Sequence, residues 1–84
     1  MKTLQKIIVN ELNDTFPNMN FSEEDMYTDD EMGASVEFGE VTVDEILKIR
    51  DIIDKYDCTL ECIFASLTPY DDAELYFTFV KKPQ

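Results

Sequence analysis

The sequence predicts an α+β fold: two helices on one face of a three- to four-stranded antiparallel or mixed sheet, in the order α-β-α-β-β. Two stretches repeat apolar residues every three to four positions, three others alternate apolar with polar residues, and a turn-forming sequence joins the last two. At 84 residues and 9.8 kDa the chain reads as one domain over 1–84, with a modest core. A 44% hydrophobic share is too high for a disordered polymer of this charge.

The first helix is expected over residues 3–16, TLQKIIVNELNDTF, where Leu4, Ile7, Ile8, Leu12 and Phe16 share a face. Thr3 is its candidate cap, and Pro17 stops it. The second helix starts at a capping box, Thr42-x-x-Glu45, with Val41 placed to staple onto Ile46. Ile46, Ile49, Ile53 and Tyr56 form its apolar stripe, widened by Leu47 and Ile52. Asp44–Lys48, Arg50–Asp54 and Asp51–Lys55 are one turn apart and suited to pairing. Arg50 is expected to lay its stem along the core edge, with its head toward Asp54 or the acidic stretch.

In ASVEFGE, Ala34, Val36 and Phe38 face the core. Cys58, Leu60, Cys62 and Phe64 do so in CTLECIFASL, and Leu75, Phe77 and Phe79 in ELYFTFV. TPYDDA joins the last two strands as a hairpin. A further short strand is placed at Asn18–Phe21, with Met19 and Phe21 inward. The strand–helix–strand unit should cross over right-handed, with the last strand between the other two, as in half of a ferredoxin-like fold. That comparison concerns topology and implies no function. The opposite sheet face would hold Thr59, Glu61, Ile63, Ala65, Tyr76, Thr78 and Val80. Ile63, Tyr76 and Val80 are a candidate homodimer or partner interface; scattered exposed apolar residues are the equally weighted alternative.

The chemistry for catalysis is missing. There is no histidine to serve as a general base or to activate Ser22, Ser35, Ser66 or either cysteine. Gly33 and Gly39 are the only glycines, so no glycine-rich phosphate loop exists. The expectation is a non-enzymatic protein with no catalytic residues and no cofactor. Cys58 and Cys62, four apart on one strand, would be about 13 Å apart and beyond disulfide reach. They are read as reduced core residues. The amino-terminal MKTLQKIIVNELN has three consecutive apolar residues, Ile7 to Val9, too few for a signal-peptide core. No stretch approaches membrane-spanning length, so the expected location is the cytoplasm, that of the host if the chain is phage-encoded.

Net charge is −12, from 19 acids against 7 bases, with a pI near 4.1. Such a surface repels nucleic acid and anionic lipid and attracts basic proteins. Residues 22–33, SEEDMYTDDEMG, hold six acids and no base, and the span between Lys6 and Lys48 holds twelve acids and no base. Calcium fails on spacing. An EF-hand loop started at Asp25 puts Tyr27 at its third position and Val36 at its twelfth, and one started at Asp29 puts Ala34 where glycine belongs. No metal site is expected.

The sign does suit imitation of nucleic acid. Carboxylates one helical turn apart lie about 5–6 Å from each other, near the separation of successive phosphates on one strand. A helix over 22–32 would be capped by Ser22, favoured at its start by Glu23, Glu24 and Asp25, and stopped by Gly33. The candidate contact set is Glu23, Glu24, Asp25, Asp29, Asp30 and Glu31, extended by Glu37 and Glu40. Its expected partner is a basic nucleic-acid-binding protein or nuclease complex. In size and charge distribution the chain resembles the small acidic nucleic-acid mimics that phages use against host restriction or CRISPR systems. That resemblance lies in size and charge and carries no motif, so it assigns no residue. The other reading of the same stretch is a solvated loop pinned to the core by Met26, Tyr27 and Met32.

Overall fold

The computed structural model describes residues 2–24, 31–37, 41–67 and 73–83. The elements are α1 (Lys2–Thr15), β1 (Ser22–Glu24), β2 (Glu31–Glu37), α2 (Val43–Lys55), β3 (Cys58–Leu67) and β4 (Ala73–Lys81). The sheet is ordered β1-β2-β4-β3, and every neighbouring pair is antiparallel. The last strand therefore lies between the other two long ones, as the alternation and the turn sequence predict. The short extra strand makes the order α-β-β-α-β-β and falls at Ser22–Glu24, just after the expected Asn18–Phe21.

The displacement of β1 has a local cause. Phe16 donates its N–H to the Leu12 carbonyl at 2.8 Å, and Met19 donates to Phe16 at 3.0 Å, so the chain turns tightly after α1. Asn20 then takes a left-handed conformation, φ 56°, which asparagine tolerates better than most residues. Phe21 drops into the core and Met19 packs at its margin, both inward as expected. The Asn13 amide behaves like a short piece of strand. Its Oδ1 accepts from the Phe21 N–H at 2.6 Å, and its Nδ2 donates to the Phe21 carbonyl at 3.1 Å.

One core joins both helices to one sheet face, with Ile8, Leu12, Ile49, Ile53, Met32, Val36, Phe77 and Phe79 essentially free of solvent contact. On α1 the apolar stripe is turned by one position from the expected one: Val9 is buried and Ile7 is exposed. Thr3 lies inside the helix and does not cap it. On α2 the capping box forms in both directions, with Glu45 N–H on Thr42 Oγ1 at 3.2 Å and Thr42 N–H on Glu45 Oε1 at 2.9 Å. Leu47, expected to widen its stripe, is exposed.

The ion pairs differ from the expected helix-surface ones. Asp44–Lys48, Arg50–Asp54 and Asp51–Lys55 are not within pairing distance. Lys55 instead meets Glu11 of α1 at 3.0 Å, Lys82 meets Asp54, and Arg50 sits 3.6 Å from Asp51 with both heads exposed. For Lys55 and Asp54 partners on another element won, because these α2 side chains lie beside α1 and the end of β4, whereas Arg50 meets its own neighbour within α2. Among the described residues, no helix is long and apolar enough to cross a membrane.

The main departure is in β3. Its register on β4 slips by one between Leu60 and Cys62, so Glu61 is an extra residue in the ladder. Such a bulge interrupts the strict alternation of faces. Cys58 and Leu60 point to the core as expected, but Cys62 stands opposite Thr78 and Phe64 opposite Tyr76, on the other face. Cys62 is an exposed thiol rather than a core residue, and Phe64 is 45% exposed. Ile63 and Ala65, expected on the outer face, stand opposite the core residues Phe77 and Leu75.

Candidate protein-interaction surface

A helix over 22–32, one of the forms left open for this stretch, is contradicted at both ends. Ser22 pairs with Ser35, and Glu24 with Gly33, as antiparallel strand neighbours. Gly33 is therefore a strand residue and stops no helix. The strands prevail because Phe21 and Met32 are pulled into the core, and because Gln5 of α1 clamps them together. Its Nε2 donates to the carbonyls of both Glu24 (2.9 Å) and Gly33 (2.7 Å).

Of the expected contact residues, Asp25, Asp29, Asp30 and Glu40 lie outside the described residues, as do Met26, Tyr27 and Phe38. Glu23 and Glu24 are adjacent in β1 and point to opposite faces. Glu23 is opposite Ala34, on the helix side, whereas Glu24 is opposite Gly33 on the face away from the helices. Glu31 lies on that same outer face, opposite Val80, and Glu37 stands in register with Glu74. The sheet thus gathers Glu24, Glu31 and Glu74 on its outer face, and Glu74 was absent from the expected set.

Toward the β3 edge of this face Phe64 and Tyr76 stack in parallel. The Tyr76 hydroxyl donates to Glu74, and Ser35 Oγ donates to Glu24 Oε1 at 2.7 Å. The hydrogen bond to Glu74, followed by partial burial and the charges of Glu74 and Glu24, holds the Tyr76 phenol above its ordinary pKa. A shallow depression of about 200 Å³, lined by Asn20, Ser22, Ser35, Val36 and Glu74, lies beside the cluster. Of the alternative interface, Tyr76 and Val80 are on this face, but the bulge puts Ile63 on the other. Phe64 takes its place. The signal in the sequence was the adjacent apolar pair Ile63–Phe64, which cannot alternate with polar neighbours on both sides.

Charge is segregated between the layers. The described bases that form ion pairs, Lys55, Lys82 and Arg50, meet Glu11, Asp54 and Asp51, all helix acids. None of the described outer-face positions on β1, β2, β4 and β3 is lysine or arginine. Among the described residues, no group of three or more side chains is arranged to hold a metal ion. The chain matches no protein-family model, and neither the curated proteins nor the solved structures contain a significant match to it.

Proposed function

We propose that this protein is a non-catalytic binder that blocks a basic, nucleic-acid-binding partner by presenting a carboxylate surface in place of DNA or RNA. An inhibitor of host restriction or CRISPR nucleases of the phage type is the role this reading favours. The observation that carries it is the segregation of charge: Glu24, Glu31 and Glu74 share an outer sheet face without a described base. Glu24 and Glu31 are diagonal neighbours, about 7–8 Å apart, and Glu74 stands further along the same face, opposite Glu37. A basic groove meets such a row of charges at several points at once. Asp25, Asp29 and Asp30, in the chain between β1 and β2, extend the same negative sequence.

The test is affinity capture from a bacterial lysate at low and high NaCl, with duplex DNA and RNA as competitors. Capture of a nucleic-acid-binding protein, lost at high salt and on competition, is the expected result. Two triple variants, Asp25/Asp29/Asp30→Lys and Glu24/Glu31/Glu74→Lys, should each weaken it while leaving circular dichroism unchanged. Full retention by both variants overturns the proposal. A second reading rests on the exposed Phe64–Tyr76 stack: a regulatory subunit that binds through this aromatic patch. It predicts salt-insensitive capture that is lost in Phe64→Ala and Tyr76→Ala.

A further inference from the structure

Phe64 and Tyr76 stand opposite each other on neighbouring strands, and their ring centroids are 5.1 Å apart. That is close to the spacing between strands, about 4.8 Å, so the rings stand side by side as the strands do. Phe64 is 45% exposed and Tyr76 is half-buried. Because β3 is the edge strand, no strand among the described residues covers the Phe64 ring on the side away from Tyr76. Aromatic rings left open in this way are the usual anchors of protein-binding surfaces.

The charges around the stack select what can lie on it. Nucleobases and guanidinium groups are both planar partners for an exposed ring. A nucleobase brings phosphates with it, and this face opposes them with Glu24, Glu31 and Glu74 and no described lysine or arginine. A guanidinium brings the complementary charge. Glu74 lies two residues from Tyr76 on the same face of β4 and accepts from its hydroxyl. Glu24 is held by Ser35, which stands opposite Tyr76 on β2. A cation resting on the rings therefore has carboxylates on the same face to answer it.

We infer that the Phe64–Tyr76 stack is an arginine-binding site, where an arginine side chain of a basic partner lays its guanidinium on the exposed Phe64 ring. Glu74, a diagonal neighbour of Phe64, supplies the counter-charge. The inference rests on the proposed function and deepens it, since it names the cation by which the basic partner is anchored. Lysine is the poorer occupant. Its ammonium is a compact, strongly hydrated point charge, whereas guanidinium is planar, weakly hydrated and keeps its N–H donors free at its rim while stacked. Carboxylates alone accept either cation, so the rings are the source of the preference.

The test is an NMR titration of the isotope-labelled chain with oligoarginine and oligolysine peptides of equal length, at one ionic strength. Oligoarginine should bind about three- to tenfold tighter, the order expected from one cation–ring contact. It should shift the amides of residues 62–65 and 74–78. Phe64→Leu keeps apolar bulk at an exposed position and should remain folded. It should lower oligoarginine affinity to that of oligolysine and leave oligolysine binding unchanged. Phe64→Trp, a better ring for a cation, should retain or raise the preference. Equal affinities, no binding, shifts confined to other segments, or a preference that survives Phe64→Leu each overturn the inference. The titration uses no nucleic-acid-binding protein, so the two readings fail separately. Salt-sensitive capture without an arginine preference leaves the proposed function standing and removes this site. An arginine preference without capture supports the site and removes the proposed partner.

Discussion

Phe64 stacks on Tyr76 across β3 and β4, with ring centroids 5.1 Å apart and planes within 11° of parallel. The pair exists on the outer face because the ladder slips by one residue between Leu60 and Cys62. Without that slip Phe64 would point toward the helices and Ile63 would stand beside Tyr76. One inserted residue therefore decides which aromatic surface the sheet offers to solvent.

Thiol chemistry reports the same slip. Cys58 is fully buried, and burial, reinforced by the nearby Asp57 charge, pushes its thiol above the ordinary cysteine range. Cys62 is exposed. Thiolate is the reactive form, so Cys62 should react with a disulfide reagent within seconds to minutes in the native protein, while Cys58 waits for unfolding. Titration should count one fast thiol under native conditions and two in guanidinium. Two slow thiols would place Cys62 in the core and remove the bulge.

Much of the architecture was legible because it follows from periodicity and end signals. The Thr42–Glu45 box, Pro17 after Phe16, and the alternation of Leu75, Phe77 and Phe79 each act through neighbours close in sequence. The errors arose where a distant partner chose the outcome. Gln5 and the burial of Phe21 and Met32 turn Ser22–Glu24 into a strand, although the local sequence carries good helix-start signals. Lys55 prefers Glu11, 44 residues away, to Asp51 one turn back. The outer-face acids were half legible: acidity located Glu24 and Glu31, but only the pairing of β2 with β4 places Glu74 on the same face, further along it and opposite Glu37.

The Gln5 clamp should be worth measuring by denaturation. Its side chain is 94% buried and donates to two strand carbonyls that would otherwise lose a partner in a partly dry site. Gln5→Ala should lower stability by about 1–3 kcal/mol, the range for leaving buried acceptors unpaired. Amide exchange should rise first in β1. A loss below about 0.5 kcal/mol in urea titration, typical of surface changes, would mean that β1 is held without Gln5.

Asp57 ends α2 with φ 61°, in the left-handed region, and its carbonyl accepts from the Lys82 N–H at 2.9 Å. Two terms favour glycine there. A residue without a Cβ relieves the left-handed strain, and removal of a negative charge suits the negative end of the helix dipole. Asp57→Gly should raise stability by about 0.5–1 kcal/mol, since aspartate already tolerates this conformation better than most residues. Destabilisation in thermal melts would show that the carboxylate has a contact outweighing both terms.

Glu11 links the two helices, accepting from the Tyr56 hydroxyl and from Lys55 Nζ at 3.0 and 3.1 Å. The Tyr56 hydrogen bond, then that from Lys55, holds the Glu11 carboxyl below its ordinary pKa. A depressed folded-state pKa contributes stability that is present above the unfolded value, about 4.3, and is lost as pH falls through the folded value. Lys55 and Tyr56 are both shifted upward, chiefly by their bonds to Glu11. Their contributions are complete below ordinary values near 10 and are lost as pH rises through the raised ones. The cluster therefore stabilises a plateau from about pH 5 to 10. Acidification also discharges the other carboxylates of a −12 chain, and this relief of repulsion acts in the opposite direction. Comparison with Glu11→Gln separates the two, because the relief is nearly common to both proteins. The variant should melt lower at pH 7, and the gap should close as pH falls below about 4. A gap that stays constant from pH 7 to the acid limit would mean that the ionised state of Glu11 contributes nothing to the helix–helix link.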